Sequence, residues 1–84
     1  MKELELVEHI ESRDDLILFI QKLAENLVDK PHEWENNNLQ SYILAIAAWV
    51  KDMDGYFLNR GESMPEVPNW KTVGQILLAA KYYE

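Results

Sequence analysis

Tyr42-Ile43-Leu44-Ala45-Ile46-Ala47-Ala48-Trp49-Val50 is the longest wholly apolar run in the chain, nine residues. A membrane span needs about 20, so the run reads as part of a buried helix. The neighbouring residues extend that helix to roughly 38–54. Asn37 or Asn38 supplies the N-cap, with Gln40 three residues after Asn37. Gly55 is the expected stop, although Tyr56 to Asn59 could add one more turn. A helix that is apolar nearly all round is contacted on several sides. This third helix is therefore expected at the centre of the fold, with its alanines admitting close neighbours.

Helical periodicity continues outward in both directions. Leu4, Leu6, Val7 and Ile10 mark a short first helix over about 3–11. Ser12 is a good N-cap for the second, about 13–30, with Asp15 in the capping-box position and Asp14 also in the first turn. Leu16, Ile20, Leu23 and Leu27 form its apolar stripe, and Ile17, Ala24 and Val28 widen it. Pro31 ends it by pushing residue 30 out of the helical region. Residues 31–38 are a polar connection carrying Trp34. Gly61, Pro65 and Pro68 break the pattern after Arg60. A last helix, about 69–83, starts at Pro68 or Asn69 and presents Trp70, Val73, Ile76, Leu77, Ala80 and Tyr83. Gly74 inside it costs about 1 kcal/mol relative to alanine, which points to a close helix crossing. No segment alternates with period two. The fold class is all-α, a single domain of about four helices over residues 1–84.

Charge bounds the function. Eight bases against 15 acids leave a net charge of −7 over 84 residues. A nucleic-acid-binding surface of the general basic kind is excluded, and so is extended contact with an anionic membrane. Residues 1–30 and 31–66 each carry −4, while residues 67–84 carry +1. The acidity thus belongs to the first three helices and their loops, where it serves solubility or steers a basic protein partner. With no cysteine there is no disulfide, thiolate metal site or cysteine nucleophile. A secreted domain this small usually needs such staples, and the acidic start Met1-Lys2-Glu3-Leu4-Glu5 lacks a signal-peptide pattern. A cytoplasmic setting is expected.

Candidate chemistry is sparse. Asp52-x-Asp54-Gly55 resembles the start of a calcium loop, but the sixth position is Phe57 instead of glycine and the twelfth is Ser63 instead of glutamate. His9 and His32 are separated by a whole helix and lack cysteine companions, so no metal site is assigned. No nucleophile stands in a recognisable setting near His32, and Glu33 and Glu35 have no evident cleft. No enzyme and no cofactor are expected. Trp49 reads as core. Trp34 and Trp70 read first as lids over the bundle ends, because a small chain needs their area. Their alternative is recognition, since Trp, Tyr and Arg dominate interface hot spots. The candidate partner-binding face is Asp52, Asp54, Tyr56, Arg60, Glu62 and Trp70, together with Trp34. The Met64-Pro65-Glu66-Val67-Pro68 loop beside it is stiffened by proline.

Four motifs then carry a resemblance. Trp34-Glu35-Asn36-x-x-Leu39, Ala48-Trp49-x-x-Asp52-Met53-Asp54-Gly55-Tyr56, Pro68-x-Trp70 and Ile76-Leu77-x-Ala79-Ala80-x-x-Tyr83-Glu84 are similar to a family of small acidic bacterial single-domain proteins with no established activity. The resemblance spans about residues 10–84 and implies a bacterial, cytoplasmic protein. By type and composition alone, the chain also resembles immunity proteins that neutralise toxins. The leading expectation is a non-catalytic protein-interaction domain, with an immunity-type inhibitor as its concrete form. A domain binding a small molecule or divalent metal through Asp52, Asp54, Glu62 and His32 is the second reading. A self-associating domain, a homodimer through Trp70 and Tyr83, is the third.

Overall fold

The computed structural model describes residues 3–83. Among them are four α-helices and no strand: α1 (Glu3–Glu8), α2 (Arg13–Asp29), α3 (Leu39–Asn59) and α4 (Trp70–Tyr82), with a single 3₁₀ turn at Pro31–Glu33. The all-α class and the helix count match the sequence reading.

Helix starts follow the side-chain chemistry. Ser12 Oγ accepts the amide of Asp15 at 3.1 Å, and Asp15 Oδ2 accepts the amide of Glu11 at 3.0 Å. The reciprocal bonds hold Ser12 in an extended conformation (φ −141°), so the chain must leave α1 before it. Regular helix accordingly ends at Glu8, three residues short of expectation. Asn38 Oδ1 takes the Ser41 amide at 2.9 Å to open α3, and Asn69 Oδ1 takes the Thr72 amide at 2.8 Å to open α4.

The end of α3 is a correction. The helix passes through exposed Gly55 and runs to Asn59. Gly61 is the actual stop, at φ +68°. Its amide donates to Leu58 O at 3.0 Å, and the Glu62 amide donates to Phe57 O at 2.9 Å. These are the paired bonds of a Schellman ending, which requires the left-handed residue that glycine supplies. A glycine with helical φ inside a helix is only a mild penalty, so Gly55 had no power to end α3.

The centre of the fold is a second correction: it is α4, not the third helix. α4 packs against α1, α2 and α3, whereas the backbone of α3 approaches α4 alone. Only one face of α3, marked by Ala45, Trp49 and Phe57, is buried. Its Leu39, Ile43, Leu44, Val50 and Leu58 are exposed. The main apolar cluster consists of Val7, Ile10, Leu16, Phe19, Leu23, Trp34 and Leu78, and Tyr42, Leu27, Val73 and Leu77 pack on its edge. On α2 the buried stripe is Leu16, Phe19, Leu23 and Asn26. It is rotated away from the expected Ile20, which is exposed. Gly74 is the crossing point that its presence in a helix suggested. A Cβ placed there would lie 2.5 Å from Ile10 Cδ1 and 3.1 Å from Val7 Cγ2, so α1 reaches α4 only because residue 74 has no side chain.

Candidate functional site

The expected partner face lies around the C-terminal end of α3, and three of its acids share one groove. Asp52, Asp54 and Glu62 line a shallow depression of about 500 Å³ with Gly55, Phe57, Leu58 and Met64. Leu58 is 77% exposed, so the groove presents an apolar knob between carboxylates. Helix α3 holds Asp52 and Asp54, and the Schellman ending turns the chain so that Glu62 and Met64 come back beside them. The Asp52 carboxylate accepts a hydrogen bond from the Tyr83 hydroxyl. That bond raises the Tyr83 hydroxyl above its ordinary value of 10.0. The Asp54 side chain makes no ion pair or hydrogen bond among the described residues and stands open to solvent.

Tyr56, Arg60 and Glu62 belong to a polar corner joined to this groove. Arg60 Nη2 lies 3.0 Å from Glu8 Oε1 and 3.4 Å from Glu62 Oε2. Its Nη1 donates to the Tyr56 hydroxyl, and the guanidinium sits 5.2 Å from the centre of that ring. Glu8 Oε2 in turn meets Lys71 Nζ at 2.9 Å. The hydrogen bond from Lys71 is the main cause that holds the Glu8 carboxyl below its ordinary 4.5; partial burial opposes it, and Arg60 adds to the lowering. Glu8 and then Tyr56 hold Arg60 above its ordinary value. Arg60 is thus the clamp between α1, the end of α3 and the first turn of α4, with its charge already answered within the chain. Partly exposed pairs of this kind are worth only about 0.2–1 kcal/mol each. Trp70 opens α4 beside Lys71 and is partly exposed, but does not line the groove.

Trp34 is elsewhere, and this corrects its placement on the partner face. It is 6% exposed, packed in the main core. Its indole Nε1 donates to Asn26 Oδ1 at 2.8 Å, and its ring contacts Tyr42 at 5.8 Å. In this position the indole is an internal anchor, and what is left uncovered of it lines the apolar cleft beside Leu23, Leu27 and Leu39 instead of the acidic groove.

The same Asn26 oxygen accepts a second buried donor. Lys81 is fully buried, and its Nζ donates to Asn26 Oδ1 at 2.8 Å. Glu33 Oε1 lies 3.9 Å from it, and the rings of Trp34 and Tyr82 are 5.4 and 4.8 Å away. Next to it, the Asn36 amide donates to Lys81 O at 3.2 Å, and Asn36 Nδ2 donates to Ala80 O at 3.0 Å and to Tyr83 O. The Trp34-Glu35-Asn36 motif therefore fastens the end of α2 to the end of α4. Among the described residues no buried side-chain nitrogen or oxygen lacks a partner. This cluster is a structural lock.

Sequence reasoning missed Lys81 and Asn26, yet both had a signal. Leu16, Phe19, Leu23 and Asn26 follow a 3-4-3 spacing, and Gly74, Leu78 and Lys81 follow a 4-3 spacing. Each polar residue continues a buried stripe. Leu58 and Glu8 carried no comparable signal.

Among the described residues no group of three or more His, Asp or Glu is placed to hold a metal ion, and no helix is long and apolar enough to cross a membrane. Neither a curated protein nor a solved structure matches the chain. A family model does match residues 12–84, a span that takes in α2, α3, α4, the Trp34–Asn36 fastening and the groove, and leaves α1 outside. By that match the chain belongs to the family of unknown function DUF7660.

Proposed function

We propose that this chain is a non-catalytic protein-interaction domain whose working surface is the groove at the end of α3. One observation carries the reading: Asp52, Asp54 and Glu62 surround the exposed side chains of Leu58 and Met64 in a single shallow groove. Carboxylates around an apolar knob suit a basic protein segment that also carries an apolar side chain. Electrostatic complementarity then steers the encounter, and the apolar contact holds it. An immunity-type inhibitor in the bacterial cytoplasm, acting on a basic protein, is the concrete form proposed. Tyr56 and Arg60 serve such a surface by bracing it, because the Arg60 guanidinium is spent on Glu8, Glu62 and the Tyr56 hydroxyl. The alternative of a divalent-metal site at Asp52, Asp54, Glu62 and His32 has less support. His32 lies in the 3₁₀ turn, and these groups are not gathered as a ligand set.

The test is affinity capture from cells of the source organism, using the full chain and the D54K/E62K variant side by side. The proposal expects a basic protein on the wild-type chain that the variant fails to retain. Identical captured sets would overturn it.

A further inference from the structure

In a chain of net charge −7, the sixteen residues from Asn36 to Lys51 contain no acid, and their only charge is Lys51. Within this stretch Leu39, Ile43, Ala47 and Val50 share one face of α3 at spacings of 4, 4 and 3. That face is open: Leu39 is 75% exposed, Ile43 53% and Val50 43%. It lies away from Ala45 and Trp49, the side that α4 covers. At its N-terminal end Leu39 also lines an apolar cleft of about 290 Å³ with Ile20, Leu23, Ala24 and Leu27, so the uncovered surface continues onto α2.

We infer that this face of α3 binds a second copy of the same chain, through the part of the helix that precedes the acidic groove at Asp54 and Leu58. Charge selects the occupant. A basic partner is drawn to the carboxylates elsewhere on the surface, whereas two copies of a −7 chain repel each other overall and do so least where acids are missing. Area agrees. A monomer of 9.9 kDa is expected to expose about 5,200 Å², and this chain exposes 5823 Å². The excess, on the order of 600 Å², approaches the roughly 800 Å² that each partner buries in a standard interface. Geometry supplies a self-complementary arrangement. Two α3 helices crossing antiparallel at Ala47 bring Ile43 of each copy toward Val50 of the other about a twofold axis. The small alanine permits a close crossing, and the helix dipoles oppose. The sequence reading placed self-association at Trp70 and Tyr83, but Tyr83 is hydrogen-bonded to Asp52 of its own chain.

The test is sedimentation equilibrium of the full chain into the ~100 μM range. Wild-type protein is expected to reach twice the monomer mass. I43D is expected to stay at the monomer mass with an unchanged far-UV circular dichroism spectrum, and L58D to dimerise like wild type. Because the chain has no cysteine, A47C adds a single thiol close to the twofold axis. It is expected to oxidise to a disulfide-linked dimer under conditions where L58C does not. A wild-type chain that remains monomeric throughout, an I43D variant that still dimerises, or equal cross-linking by A47C and L58C would each overturn the inference.

Discussion

Asn26→Leu keeps nearly the same side-chain volume and removes one oxygen that two buried donors share. Trp34 Nε1 and Lys81 Nζ each lie 2.8 Å from that atom. A buried donor left without an acceptor costs about 1–3 kcal/mol, and a hydrogen bond to a charged group is worth about 1.5–3 kcal/mol. Lys81 keeps Glu33 at 3.9 Å, so the two losses should not reach their full sum. The expected cost is about 3–5 kcal/mol, the range seen when one partner of a buried charged pair is removed. Globular chains have about 0.05–0.15 kcal/mol of stability per residue, so 84 residues have roughly 4–13 kcal/mol in total. Urea unfolding followed by circular dichroism at pH 7 should show a large fall in midpoint with little change in slope. Lys81→Met removes the charge that Asn26 serves. In the double variant part of the loss should return, giving a coupling energy of about 1–3 kcal/mol. A loss below about 1 kcal/mol for Asn26→Leu, or strict additivity, would refute the claim that this oxygen locks α2 to α4.

Gly74→Ala would gain about 1 kcal/mol in a free helix. Here the new methyl meets Ile10 and Val7, which are themselves buried. Overpacking at about 1–3 kcal/mol should win and lower the thermal midpoint, and a rise would mean that α1 is not seated on α4. Glu8 has a folded-state pKa below its ordinary 4.5 because of Lys71 and Arg60. Its contribution to stability is present above the ordinary value and lost as pH falls through the lowered one. The unfolding free energy of Glu8→Gln from urea titrations should therefore be lower than wild type at pH 7 by about 0.2–1 kcal/mol, and the gap should close as the solution is acidified below pH 4.5. Tyr42 donates to Leu77 O at 2.8 Å, and burial pushes its phenol up to about 12. The stability from its neutral form is present below pH 10 and lost as pH rises through about 12. Absorbance titration of the phenolates should show a component near pH 12 that is missing from Tyr42→Phe.

Most of the helical framework was legible because local chemistry determines it. Ser12, Asn38 and Asn69 each cap a helix through their own side chains, and Pro31 ends one through its own ring. Gly74 also spoke plainly, since a glycine in a helix needs a reason and α1 is that reason. The central helix was not legible. Tyr42 to Val50 is the most apolar segment, but apolarity records how much surface could be buried and not what is present to bury it. In this chain α4 is the one helix whose backbone approaches that of α3. The helix that does occupy the centre contains Thr72, Gln75 and Lys81, all buried, and the Lys81 ammonium is answered by Asn26, 55 residues away in sequence. The burial of Trp34 agrees with its first reading as a lid; its alternative place on the partner face fails because the pocket that Asn26 and Lys81 complete exists only in three dimensions. Part of the acidic face was readable because Asp52, Asp54 and Glu62 are close in sequence. Glu8 and Lys71, which fix Arg60 in place, come from the two ends of the chain and could be found only in three dimensions.

Recognition of a basic protein by the groove at the end of α3 is the property on which the proposed function stands. Its most direct measurement is a calorimetric titration of the captured partner with the full chain and with D54K/E62K, at low and high salt. Binding by the wild-type chain should weaken as salt rises, and the variant should bind at least tenfold more weakly, a difference of about 1.4 kcal/mol or more. Equal affinities for the two proteins, or wild-type binding indifferent to salt, would contradict it.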